Sequence, residues 1–319
     1  MGFILRLNST IRSYSKPQVH QLHRYKMTTS DQETQLNHLT QAPKIAWPTV
    51  ALFCFCMIGL ATSYYLALSD AMPMWVATVI SGVLCFYCFS VAHDSTHGAV
   101  SQNKTINDWL GHISMVFFGG FAPLEVARWI HMQHHRFTND HDKDPDAYGH
   151  KIDFWFPLRW SNFDYHYSRY FIQNAGPMRK RLQKSLFIKV PLVLAAVIAS
   201  IAFGYGYEML MLWFLPTRIS SFLFVTMFVY LPHAPFLATA AESEYKATNV
   251  RKGFEWLLTP IMMFQNYHLL HHLYPSAPFY HYIKLWNIKK EEHISNGAII
   301  VKPFSAGDLA DTETGTKKA

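Results

Sequence analysis

The chain has 319 residues, of which 50% are hydrophobic, 16% aromatic and only 15% charged, and its formal net charge is +7. Soluble domains carry about a quarter charged residues, so this composition argues against an ordinary soluble enzyme. It excludes a disordered chain, a collagen and a small disulfide scaffold.

The chain opens with five Lys or Arg in thirty residues and no acid before Asp31. Such a segment is a basic cytoplasmic tail, an organelle transit peptide, or an extension upstream of a start at Met27. Gly2 does not begin a myristoylation signal, because Arg6 stands where Ser or Thr is required. Residues 1–46 are therefore read as a basic polar segment, partly disordered or processed.

Two apolar hairpins follow. Residues 47–68 pair with 73–92 across a turn at Ser69 and Asp70, and residues 187–203 pair with 209–231 across Gly204 to Glu208. A span needs about 20 apolar residues at a rise of 1.5 Å to cross a core of roughly 30 Å. Four transmembrane helices are expected, in an all-α fold occupying residues 47–302. Arg218 is unusual in the last of them. Beside Pro216, it predicts either a break in that helix or an arginine facing other helices in a structural role. The shorter apolar stretches 109–124 and 254–264 read as interfacial or re-entrant helices. Residues 303–319 are polar and read as a disordered tail. All four cysteines, Cys54, Cys56, Cys85 and Cys88, lie in apolar runs and behave as small hydrophobes rather than a redox or zinc pair.

The two inter-helix turns hold no Lys or Arg, whereas residues 128–189 hold eleven and the segment before Trp47 holds six. The positive-inside rule then places both termini and the large central loop in the cytoplasm. The basic balance marks topology and calls for no nucleic acid. Bacterial inner membrane and endoplasmic reticulum impose the same pattern.

Eighteen histidines are present, and eight form three clusters: His93-Asp-Ser-Thr-His97, His131-Met-Gln-His134-His135 and His268-Leu-Leu-His271-His272. A single histidine is ordinarily a surface or satisfied core residue. One H-x-x-H-H is expected by chance only about 0.06 times at this composition, and two occur. Residues three and four apart share a helix face, so each cluster aims two or three imidazoles at one point. Eight imidazoles repel one another when protonated, so they are expected neutral and shared by cations. Their number points to two ions. Imidazole suits zinc, copper, iron and nickel alike. No His-Glu-x-x-His motif supplies the base of a zinc protease, and no Glu-x-x-His pair supplies a carboxylate-bridged bundle. An all-nitrogen site beneath apolar helices suits redox chemistry on an apolar substrate.

The order of these clusters across two helical hairpins resembles the integral-membrane fatty acid desaturase and hydroxylase superfamily, over about residues 47–286. The strings carrying the resemblance are His93-Asp-Ser-Thr-His-Gly98, Arg128-Trp-Ile-His-Met-Gln-His-His-Arg136, Asp144-Pro-Asp146, Tyr230-Leu-Pro-His-Ala-Pro-Phe236 and Gln265-Asn-Tyr-His-Leu-Leu-His-His-Leu-Tyr-Pro275. The Tyr-Leu-Pro-His and Asn-Tyr-His strings are similar to those of carotenoid hydroxylases and ketolases within it.

The resemblance implies two non-haem iron ions held by His93, His97, His131, His134, His135, His268, His271 and His272. His233 matches an additional ligand position or else caps a helix end. Asp94, Asp144, Asp146 and Asn266 are expected to orient imidazoles by accepting their other N–H. His112, His141, His150, His166 and His281 fall outside the pattern. The implied reaction uses O2 and two electrons to oxidise unactivated C–H bonds of a lipid. A fatty acyl desaturase is the first reading, and a β-carotene hydroxylase or ketolase the second. No haem, dinucleotide or iron–sulfur motif is present. Electrons are therefore expected from a separate ferredoxin, rubredoxin or cytochrome b5 with its reductase. The basic residues Arg128, Arg136, Arg179, Lys180, Arg181, Lys289 and Lys290 offer such a donor a surface, or serve only the topology. A histidine-rich metal transporter is a remoter reading, since transporters gather ligands near the bilayer midplane. A structural zinc site needs only four ligands.

Overall fold

The computed structural model describes residues 29–307 and 312–314. The basic leader, Met27 and the context of Gly2 lie outside the described residues.

Helix α1 (Thr29–Thr40) precedes the first hairpin, α2 (Trp47–Leu68) and α3 (Met74–Thr96). Pro48 lies in the first turn of α2, where its missing N–H is not needed. In the turn between them Asp70 takes a φ of 58°, a region Asp tolerates. Then come α4 (Lys104–Phe118), α5 (Leu124–Phe137), α6 (Phe156–Ser161) and α7 (Phe163–Asn174). The second long hairpin starts with α8 (Gly176–Ala202). Its return is continuous from Gly206 to Tyr230 and comprises α9 (Gly206–Met209), a π turn at Leu210–Phe214, α10 (Leu215–Phe224) and a second π turn at Val225–Tyr230. Short helices follow: α11 (Glu244–Ala247), α12 (Glu255–Ile261), α13 (His268–Leu273), α14 (Tyr282–Ile288) and α15 (Lys290–Ser295).

Among the described residues four helices are long and apolar enough to cross a membrane: α2, α3, α8 and the Gly206–Tyr230 helix, with mean hydropathies of 1.9, 1.9, 2.2 and 1.5. α3 runs four residues past the expected end at 92, so His93 lies within the helix. α8 starts eleven residues before 187, because the Arg- and Lys-rich stretch ahead of it is a good helix former. Pro216 does not break the fourth span. The π turn just before it absorbs the missing N–H, and Arg218 faces another part of the chain.

Close approach of the spans relies on small residues, as in lipid generally. A Cβ on Gly82 would stand 2.6 Å from Ile219 Cγ2, so glycine lets α3 meet α10. Thr78 Oγ1 donates to Met211 O at 2.8 Å across the same interface. α4 is turned inside out relative to a soluble helix. Trp109, Ile113 and Val116 are exposed, while Asn107, Gly111 and Ser114 are buried. Asn103 caps it, its Oδ1 accepting from Thr105 N and Ile106 N.

The stretch 254–264 yields only α12, which carries Pro260 in its last turn and ends ahead of left-handed Met263 and Phe264. Two features were not anticipated. α6 packs on the middle of the fourth span, with Ser221 Oγ donating to Trp160 O at 2.8 Å. A small sheet joins β1 (Asn249–Arg251) in parallel with β2 (Ile299–Val301), and β2 antiparallel with β3 (Thr312–Thr314). Buried Arg251 donates to the carbonyls of Lys302, Ser305 and Leu231, at 2.9, 2.8 and 3.1 Å. The start of the expected disordered tail at 303 is thereby held against the body.

Candidate metal centre

Four segments of the chain converge on one buried volume. His93 lies in the last turn of α3 and His97 is its C-terminal cap, four residues on and on the same face. His131, His134 and His135 occupy the last two turns of α5. His268, His271 and His272 lie on α13, which a left-handed Phe264 and a tight turn at Gln265–Tyr267 aim inward. His233 follows the fourth span in the turn after Tyr230.

Together they form two groups. The donor atoms of His93, His97, His131 and His271 lie within 4.8 Å of one another, as do those of His134, His233, His268 and His272. His135 stands with His271 and His272 between the two groups. The Nε2 atoms face each other: His93 to His271 at 3.1 Å, His135 to His271 at 2.9 Å, His233 to His268 and His272 to His268 at 3.1 Å. Nε2 of His97 is buried with no hydrogen-bond partner among the described residues. Two nitrogens about 2.1 Å from one ion, at right angles, stand roughly 3 Å apart. The donor set and its spacing therefore fit metal ions.

Burial holds His131, His135, His268, His271 and His272 well below the ordinary histidine range, and the neighbouring imidazoles push the same way. This environment favours the neutral form, in which each ring has a nitrogen lone pair to offer a cation. For His134 burial acts downward, but the Asp146 and Asp144 carboxylates outweigh it and lift the imidazole to about 9. Burial raises Asp146 to about 6 against the pull of His134.

The expected orienting residues divide. His134 Nδ1 donates to Asp144 Oδ1 at 2.9 Å and lies 3.4 Å from Asp146 Oδ2. Asp144 also accepts from the backbone of Asn139 and Asp146, and Asp146 accepts from Tyr167 at 2.6 Å. Asp94 and Asn266 meet no imidazole among the described residues. Asp94 accepts from Thr49 Oγ1 at 3.0 Å, tying α3 to α2, and Asn266 donates to Thr259 at 3.1 Å.

Two orienting residues went unnamed in the sequence reading. Gln265 Oε1 accepts from His268 Nδ1, and the Tyr282 hydroxyl lies 3.0 Å from His271 Nδ1. Gln265 was findable, three residues before His268. Tyr282 sits on α14, and nothing in the spacing signals it. Of the histidines outside the pattern, His141 is exposed, His166 bonds Pro145 O and His281 bonds Leu39 O. His150 stacks on Phe236, with its ring 6.4 Å from that of His233.

A cavity of about 310 Å³ lies against this centre, with His93 and His131 in its wall. Its remaining surface is mostly apolar, from Phe89, Met115, Phe118, Val126, Ile130 and Phe224, apart from a polar patch at Asn162, Asp164, Tyr165, Thr217 and Arg218. A hydrocarbon chain suits such walls.

The family described as fatty acid desaturase matches residues 69–299. A β-carotene ketolase of Paracoccus sp. (strain PC1) is 26% identical over 257 residues, covering 79% of this chain and 92% of its own. The sn-1 acyl-lipid omega-3 desaturase (ferredoxin) of Synechocystis sp. is 33% identical over 100 residues, covering 30% and 27%. An omega-3 fatty acid desaturase of Caenorhabditis elegans is 42% identical over 69 residues, covering 22% and 17%. With the family match spanning most of the chain, four membrane-length helices and histidine clusters able to bind metal, the chain belongs to the fatty acid desaturase family of membrane oxidoreductases.

Proposed function

We propose that the protein uses O2 and two electrons to desaturate a fatty acyl chain of a membrane lipid at a pair of non-haem irons. The supporting observation is the junction of two four-histidine groups with an apolar cavity. One iron falls to His93, His97, His131 and His271, the other to His134, His233, His268 and His272, with His135 available to either. The balance is –CH2–CH2– + O2 + 2 e⁻ + 2 H⁺ → –CH=CH– + 2 H2O. An unactivated C–H bond has no acidic proton for a side chain to remove, and the bound irons supply the oxidant.

The chain's own residues position and protect. Asp144, Gln265 and Tyr282 fix the ring orientations of His134, His268 and His271 through Nδ1, leaving each Nε2 for the metal. The cavity wall excludes water and holds the hydrocarbon against His93 and His131. Both termini and the histidines face the cytoplasm, where a separate ferredoxin, rubredoxin or cytochrome b5 delivers electrons.

A second reading, oxygenation of a carotenoid ring, is favoured by one observation. The alignment covers 92% of the Paracoccus ketolase, but 27% and 17% of the two desaturases. The test is expression in a host making ordinary phospholipids and β-carotene, with a donor present and the His134→Ala variant as control. Total lipid extracts are compared by mass spectrometry. Acyl chains lacking two hydrogens, only with the unmutated protein, are expected. Carotenoids gaining oxygen with acyl chains unchanged establish the second reading, and retained turnover in His134→Ala overturns the metal assignment.

A further inference from the structure

The cavity beside the histidines has a second chemical feature. Phe89 lies against His93 at 5.7 Å and against Phe224 at 4.5 Å between ring centroids. Arg218 is six residues further back along α10 from Phe224, roughly 9 Å deeper by helical rise, and it lines the same cavity with Asp164. The apolar walls thus run from the metal centre to an ion pair near the middle of a membrane span.

The pair is closely matched. Arg218 Nη1 and Nη2 donate to Asp164 Oδ1 and Oδ2 at 2.8 and 2.6 Å, the two-pronged geometry of strong guanidinium–carboxylate pairs. Arg218 also donates to Asn162 Oδ1 at 3.2 Å and, through Nε and Nη2, to Thr217 Oγ1 at 3.3 Å. Its five N–H groups are therefore engaged. Asp164 is not saturated. Among the described residues Oδ1 accepts from Arg218 and from the Tyr165 backbone, and Oδ2 accepts from Arg218 alone. A carboxylate offers about four lone-pair sites, so one acceptor on Oδ2 is left over, on a residue lining the cavity.

Arg218 stands at the middle of the fourth span, where an unpaired charge is expensive, and Asp164 pairs it while keeping 37% of its own side-chain surface exposed. The α6–α7 segment is already tied to α10 by the Ser221–Trp160 bond, and by Phe163 against Phe224 with ring centroids 6.0 Å apart. The pair therefore has more to explain than packing.

Resting on the reading that this cavity holds the lipid, we propose that Asp164, held by Arg218, is the specificity-determining anchor for a hydroxyl group at the far end of the substrate chain. The Arg218–Asp164 pair is neutral overall and has a spare acceptor but no spare N–H donor. It takes an uncharged hydrogen-bond donor, repels a carboxylate, and gives no advantage to an ester, which can only accept. The favoured substrate class is a neutral lipid alcohol.

The test measures binding, so it does not depend on turnover or iron loading. Full-length protein in lipid nanodiscs is titrated with three nitroxide-labelled C18 chains ending in a hydroxyl, a methyl ester or a carboxylate. The bound fraction is read from the motionally restricted electron paramagnetic resonance signal. The alcohol is expected to bind about tenfold more tightly than the other two, the scale of one hydrogen bond to a charged group. In Asp164→Asn the side chain still accepts from Arg218, but the guanidinium charge is uncompensated. That variant is expected to lose the preference for alcohol and to favour the carboxylate. Equal binding of the three probes by the unmutated protein, or an unchanged ranking in Asp164→Asn, overturns the anchor while leaving the cavity a lipid site. No restricted signal from any probe overturns both the anchor and the cavity's role as lipid site.

Discussion

At the residue scale the histidines were legible and their supports only partly so. Imidazoles three and four apart announce a shared helix face in any sequence, and all nine named ones converge. Asp94 shows why adjacency misleads. One residue along a helix turns the side chain by about 100°, so Asp94 points to Thr49 on α2 while His93 points to the centre. Tyr282 was hidden for the opposite reason, since it reaches His271 from a separate helix. This contrast makes a test. Asp144→Asn removes the charge that fixes His134 and is expected to weaken metal binding about 10–100-fold. Asp94→Asn is expected to leave it unchanged. Both are read from metal content after purification and from ferrous iron titration of the stripped proteins. Equal losses in the two variants would assign Asp94 a role at the centre that its contacts do not support.

At the element scale, long apolar runs are unambiguous, so the four spans could be placed to within a turn except at the start of α8. Shorter elements depend on distant partners. Six residues of α6 carry too little periodicity to be read, and their position follows from Ser221, which bonds Trp160, and Arg218, which bonds the C-terminal cap Asn162. Pro216 signals a disturbance, but whether the helix breaks or widens into a π turn is decided by what surrounds it. The tightest junction is α3 against α10 at Gly82. The first obstacle there is Cγ2 of β-branched Ile219, whose χ1 is restricted, and its Cβ follows at 2.7 Å, which no side-chain rotation can move. Gly82→Ala is expected to destabilise the protein by about 1–3 kcal/mol through overpacking, measured by unfolding in mixed detergent. Unchanged stability would show that the two helices separate freely at this point, and that Thr78 rather than glycine sets their distance.

At the scale of the whole molecule, the centre is also the place where the two hairpins meet. The donors come from α3, α5, the turn after the fourth span, and α13, segments spread from residue 93 to residue 272. Facing nitrogen lone pairs at about 3 Å repel unless a cation or the N–H of one ring lies between them, and burial disfavours the imidazolium form that would put an N–H on every nitrogen. Metal binding is then coupled to holding the halves of the chain together. A ligand bound only by the folded state at a thousand times its dissociation constant adds about 4 kcal/mol. Stripping the metal is therefore expected to lower the apparent thermal midpoint by roughly 10 °C. Reloading with zinc separates the two roles of the ion. Zinc accepts imidazole but has no redox chemistry, so it is expected to restore the midpoint and no turnover, whereas ferrous iron restores both. A midpoint indifferent to metal would mean that hydrogen bonds such as His134 to Asp144 and His271 to Tyr282 hold the centre together unaided.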